Sequence, residues 1–147
     1  TDEYIDAIRE LWTSEKPNFQ GQFVNFGGIQ SRPLAYQAGG PPVIVGGTST
    51  PAFKRALLKG QGWYGFAMDA ETSSNCVTSL NRLQDDIGRS STLGELEISI
   101  TPRQPMTDEL LKEYEDIGVH RLILLQSGKS TDDLLSNIEK IAADYIE

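Results

Sequence analysis

Read from the N-terminus, the hydrophobic positions change period several times, and each change marks an element. Ile5, Ile8, Leu11 and Trp12 recur at helical spacing, with Asp2 and Glu3 where the positive end of a helix dipole favours carboxylates. A first helix ending near Thr13 is predicted. Between Pro17 and Pro42 the pattern becomes Phe19, Phe23, Val24 and Phe26 among Gly, Gln, Asn and Pro, which suits a short hairpin followed by an extended connection. Residues 17–42 thus form an excursion before the first strand of the main sheet.

Four strand-then-helix units follow Pro41-Pro42. The first pairs Val43–Val45 with a helix from Pro51 to about Lys59. The second runs from Trp63–Met68 into a helix carrying Val77, Leu80, Leu83 and Ile87, with Gly88 as a left-handed cap. The third joins Leu96, Ile98 and Ile100 to a helix from Asp108 to Ile117, capped by Thr107 and Gly118. The fourth runs from Arg121–Leu125 into a helix with Leu134, Leu135, Ile138, Ile141, Ala142 and Tyr145, and Ser130 with Asp133 approximates a capping box.

Parallel neighbours cannot be joined by tight hairpins, so this alternation implies parallel strands with right-handed crossovers and an α/β fold. Four units suffice for a small open doubly wound sheet or for half of a (βα)8 TIM barrel, and periodicity does not choose between them. The chain opens at Thr1, without methionine and already inside a helical pattern. The half barrel, with residues 1–147 as one domain, is therefore the expectation.

Composition narrows the partners more than the fold. With 147 residues, 38% of them hydrophobic, the chain is domain-sized, and no apolar run approaches the roughly 20 residues of a membrane-spanning helix. The acidic start lacks the basic and apolar regions of a secretory signal. Cys76 is the single cysteine, which excludes an intramolecular disulfide and fits a cytoplasmic protein. A net charge of −8 opposes a nucleic-acid partner, since such binders need a basic stripe to displace counterions.

The segment richest in chemistry is Val43-Ile44-Val45-Gly46-Gly47-Thr48-Ser49-Thr50-Pro51, an apolar strand that stops at two glycines and enters a helix through three hydroxyl residues. Glycines allow a sharp turn and close backbone approach, and the first helical N–H groups are unpaired at the positive end of the dipole. An anion fits there. Thr50 or Ser49 can cap the helix, and Pro51 suits its first position. The same residues also make a well-capped strand-to-helix turn and nothing more. They form neither a Walker loop nor a Gly-x-Gly-x-x-Gly fingerprint.

These residues, with several others in order, resemble the C-terminal part of the luciferase-like monooxygenase family, particularly its deazaflavin-dependent branch. The resemblance rests on Ala7-Ile8-Arg9-Glu10-Leu11-Trp12, Phe19-x-Gly21-x-Phe23-x-x-Phe26 and Pro41-Pro42-Val43-Ile44-Val45-Gly46-Gly47. It continues through Arg55-Ala56, Gly60-Gln61-Gly62-Trp63 and Gly118-Val119-His120-Arg121-Leu122. It implies a barrel with FMN or coenzyme F420 across its C-terminal mouth, the phosphate held by Gly46, Gly47, Thr48, Ser49 and Thr50. It also implies that most catalytic side chains belong to an N-terminal half outside this sequence, so no catalytic residue is assigned and the chain alone is expected to be inactive.

Trp63, in the aromatic second strand, and Asp69 and Arg103, which follow strands on the expected functional edge, are candidates for substrate contact, against the alternatives of core aromatic, helix cap and solvated cation. Tyr64, Phe66 and Lys129 are weaker candidates of the same kind. His120 sits at the entry of the last strand, away from that edge, and Cys76 lacks any ligand spacing, so no metal site is expected. Asp108, Glu109, Glu113, Glu115 and Asp116 read as a solvated helix face. Three functions remain open: part of an oxidoreductase acting on a small-molecule substrate, with the protein self-associating as a homo-oligomer; a non-catalytic half-barrel module that binds or self-associates through open sheet edges; or an open-sheet domain that binds some other phosphorylated ligand.

Overall fold

A computed structural model describes residues 1–146. Helix α1 (Asp2–Thr13) leads into a small antiparallel hairpin of β1 (Phe19–Gln20) and β2 (Asn25–Phe26), where Phe19 and Phe26 stack with ring centroids 5.9 Å apart. The main body then alternates β3 (Ile44–Gly46), α2 (Thr50–Lys59), β4 (Gly62–Met68), α3 (Ala70–Ile87), β5 (Glu97–Pro102), α4 (Asp108–Ile117), β6 (Arg121–Leu122) and α5 (Thr131–Tyr145).

The four strands pair in parallel in the order β3-β4-β5-β6. That order decides the question left open by the periodicity. A doubly wound sheet reverses its strand order at a switch point, whereas here each strand is added to the same side, as in a barrel wall. Helix α2 packs on α3 and α3 on α4, so these three crossovers lie on one face.

Strand alternation separates the two faces. Val45, Trp63, Ile98 and Ile100 point toward the helices and are buried with Phe53, Ala56 and Leu57 of α2 and Val77 and Leu80 of α3. Each fully buried aliphatic such as Leu57 or Ile100 contributes about 1.5–3 kcal/mol from removal of its apolar surface from water. Ile44, Tyr64 and Arg121 take the opposite, helix-free face with Glu97, Ser99 and Thr101, as their paired registers require.

Some local expectations change. Of the two capping candidates Ser49 caps α2, its side chain accepting from Ala52 N–H, so Pro51 sits at the second helical position and not the first. Gly88 has a positive φ of 75° but an extended ψ of 170°, so it is no left-handed helical cap. The chain straightens there as Arg89 reaches back to the carbonyls of Ala56 and Leu57, capping the end of α2.

The last strand is two residues instead of five. Ile123 N–H still reaches the Ile100 carbonyl at 2.8 Å, but Pro102 at the end of β5 has no N–H to offer and that of Arg103, just past the strand, is turned to Met68 of β4. Residues 124 and 125 have no strand beside them. Helix α1 also differs: Ala7 is its buried residue and Ile8 is exposed, because α1 meets α2 through Asp2–Arg55 and Asp6–Lys59 ion pairs.

Candidate functional site

The carboxyl ends of β3, β4 and β5 lie along one edge of the sheet, and most of the sequence candidates gather there. Gly46 closes β3 opposite Tyr64. Gly47 follows with φ of 106°, a conformation that disfavours any side chain, and a Cβ added there would stand 3.3 Å from that of Ala52. Residues 46–50 are all exposed. Among the described residues, no hydrogen bond is donated by the N–H groups of Thr48, Ser49 or Thr50. Ala52 N–H is taken by Ser49 Oγ at 3.4 Å, and Pro51 has none to offer.

The residues therefore fit an anionic group: three free backbone donors, two threonine hydroxyls and a helix N-terminus, with glycine backbone open to close approach. A Cβ on Gly46 would meet only the Tyr64 carbonyl, 3.8 Å away. The donors of the turn itself are backbone and hydroxyl groups, and the helix dipole adds positive potential there.

Trp63 lies directly beneath this turn. Its side chain is fully buried against Phe53, with ring centroids 5.7 Å apart and nearly edge-on, and its Nε1–H donates to the Gly47 carbonyl oxygen at 2.8 Å. It faces the helices, away from the helix-free side. Tyr64 and Phe66 are on that other side: Tyr64 Oη lies 2.7 Å from Thr101 Oγ1, and Phe66 is 61% exposed.

Strand β4 is irregular at this edge. The pairing with β5 shifts register between Gly65 and Met68, and Ala67 adopts φ of 51°, unusual for a residue with a Cβ. Two donors hold the distortion by binding the Met68 carbonyl: Tyr114 Oη at 2.8 Å and Arg103 N–H at 2.9 Å. Burial raises the Tyr114 pKa, with help from the Asp69 charge, so the phenol stays a donor. Nothing local in the sequence marks this bulge.

Asp69 caps α3, its Oδ1 accepting from Thr72 N–H at 2.8 Å. Thr72 holds its pKa below the usual carboxylate value, with a smaller contribution from the nearby charge of Arg103. The fold thus brings Asp69 and Arg103 together, with Arg103 exposed. Arg103 also lines a 620 Å³ cleft with Pro105, Leu125, Lys140 and Tyr145, which does not include the Gly46–Thr50 turn. Helix α5, which has no buried residue, forms one wall of that cleft.

The remaining residues take structural positions. His120 Nδ1 accepts from Ile98 N–H at 3.0 Å at the opposite edge of the sheet, extending the β-ladder. Cys76 is buried and its thiol pKa is raised by desolvation. Lys129 and the acidic side of α4 are exposed. Among the described residues no group of three or more His, Cys, Asp or Glu is placed to hold a metal ion, and no helix is long and apolar enough to cross a membrane.

A family model for the luciferase-like monooxygenases matches residues 1–121, and the chain belongs to that family. Uncharacterized proteins of Mycobacterium tuberculosis and Mycobacterium bovis are 29% identical over 142 residues, covering 96% of this chain and 48% of theirs. The chain thus spans about half the length of the curated relatives it matches. Among solved structures, a riboflavin lyase with modified FMN and substrate riboflavin is similar in fold, with a TM-score of 0.51 and 14% identity over 79% of this chain and 31% of that one.

Proposed function

We propose that this chain forms the phosphate-holding half of a flavin- or coenzyme F420-dependent oxidoreductase acting on a small organic substrate. The observation that carries the reading is the exposed turn at Gly46–Thr50, where free N–H donors converge at a helix N-terminus. Membership of the luciferase-like monooxygenases supports a flavin-type cofactor. Gly46, Gly47, Thr48 and Thr50 hold the phosphate by backbone and hydroxyl groups, and Ser49 adds its hydroxyl proton while its oxygen caps α2. Asp69 and Arg103, adjacent on the same edge, are the residues available to substrate.

When bound, the flavin or deazaflavin supplies the redox chemistry. The chain's own part is to anchor and orient it. A half site that binds without positioning ring and substrate together gains little rate, so the isolated chain turns over negligibly. Titration with FMN and with riboflavin tests the anchor. FMN binds more tightly than riboflavin, and Gly47→Val abolishes the difference. Equal affinities for the two would overturn the assignment, and hydride transfer by the purified 147-residue chain would overturn its incompleteness.

A second reading, self-association without a cofactor, is favoured by Ile44, Phe66 and Ile123, apolar side chains that stay exposed on the sheet. A stable dimer by sedimentation that ignores FMN and coenzyme F420 would establish it. Self-association as a homo-oligomer is compatible with either reading.

A further inference from the structure

The buried Trp63 indole hydrogen-bonds the core to the Gly46–Thr50 turn, and its geometry gives it a task. In a trans peptide, the carbonyl and the following N–H point in opposite directions. The Gly47–Thr48 peptide is trans, with its carbonyl oxygen drawn down onto Trp63 Nε1 at 2.8 Å. The Thr48 N–H must then point away from the core, toward the exposed side of the turn.

We propose that Trp63 is a positioning residue for anion binding: by holding the Gly47 carbonyl inward it aims the Thr48 N–H at the bound phosphate. This rests on the phosphate reading above and assigns Trp63 a role through the backbone in place of substrate contact. The surroundings fit. The Trp63 ring is fixed by complete burial and by its edge-on packing against Phe53, so its N–H direction is set by the core. Gly47 supplies the positive φ that lets its carbonyl turn inward. Thr48 N–H has no acceptor among the described residues, as a donor kept for a ligand requires. Without the Trp63 bond the Gly47–Thr48 peptide is free to rotate, and a phosphate must order it on binding.

The test follows the Thr48 amide of the 147-residue chain by ¹⁵N NMR during titration with inorganic phosphate, FMN and riboflavin. In the unsubstituted chain the Thr48 signal shifts saturably with phosphate and FMN and stays still with riboflavin. Trp63→Phe keeps an aromatic ring against Phe53 and removes the indole N–H together with the second ring, a loss of packing for which Leu57→Ala is the control. It raises the phosphate and FMN concentrations needed for half-saturation by about tenfold, the loss typical of one charge-assisted hydrogen bond. Leu57→Ala, a larger core lesion that leaves the Gly47 bond in place, keeps the wild-type titration despite its lower melting temperature. A Trp63→Phe chain that binds phosphate as tightly as wild type would overturn the proposal and leave the phosphate site standing. An unsubstituted chain whose residues 46–50 ignore phosphate would overturn the site itself, and the proposal with it. Weakening by Leu57→Ala equal to that by Trp63→Phe would reduce Trp63 to ordinary packing.

Discussion

Helices α2 and α5 have similar patterns of apolar residues and opposite fates. In α2, Ala52, Phe53, Ala56 and Leu57 are all buried between β4 and α3. In α5 no residue is buried, and Leu135 and Ile138 are about half exposed. Both helices are capped by serine, Ser49 and Ser130, so neither differs in how it starts. What differs is the surface available: α2 has a paired strand on each side of its crossover, whereas α5 follows the two-residue edge strand β6. Amphipathicity shows that a helix has a face to bury, not that a surface exists to receive it.

Truncation of the two helices should separate them most widely. Leu57→Ala in α2 should cost about 3 kcal/mol, from lost transfer energy and the cavity left in a close-packed site. Leu135→Ala or Ile138→Ala in α5 should cost less than about 1 kcal/mol, as surface substitutions do. Urea denaturation measures both, and equal losses would show that α5 is docked in solution. Amide exchange sharpens the same contrast, with α5 exchanging faster than β4 and β5.

A smaller effect concerns the bulge in the packed region. Ala67 is held at φ of 51° by its neighbours, and a left-handed conformation costs a residue with a Cβ about 1 kcal/mol or more. Ala67→Gly should therefore raise stability by up to about 1 kcal/mol, despite the entropy glycine adds to the unfolded chain. A fall in melting temperature would show that the alanine methyl packs better than its backbone strains. Bulges at barrel rims re-aim side chains. The exposure of Phe66 beside this one makes a change in ligand preference in the same variant the matching functional readout.

The smallest effect lies at the hairpin. Glu3 accepts from the N–H groups of Gln22, Phe23 and Val24, and although desolvation opposes it, these bonds lower its pKa. Arg55, by hydrogen bond and charge, lowers that of Asp2. A carboxyl depressed in the folded state stabilises fully above its unfolded value and loses that contribution as pH falls through the folded one. Stability should thus be level above the ordinary values of 3.8 and 4.5 and decline below them. Melting temperatures between pH 7 and pH 3 should fall less steeply in Glu3→Gln. Parallel curves would remove Glu3 from the account.

Local chemistry was legible wherever a short stretch of chain decides its own conformation. Thr107 and Gly118 bracket α4 as their types require, Ser130 caps α5, and the aromatic residues of 19–26 close a hairpin. The Gly46–Thr50 turn was legible as a candidate for the same reason, since glycine freedom and unpaired helix donors are properties of a few consecutive residues. Trp63 was legible only as an aromatic near the functional edge. Its bond to Gly47 joins residues 16 apart in sequence, and the Tyr114 bond to Met68 joins residues 46 apart.

By itself, then, the sequence determined the order of elements, most of their caps and the glycine turn, because these follow from backbone sterics and hydrogen bonding over a few residues. The tertiary structure alone decided that the strands run β3-β4-β5-β6 without reversal, that Trp63 faces inward to hold Gly47 while Tyr64 and Phe66 face the other way, and that α5 remains unburied. Those depend on which surfaces meet across long separations. The free energy of such contacts comes from area and geometry shared between segments, which no single segment encodes.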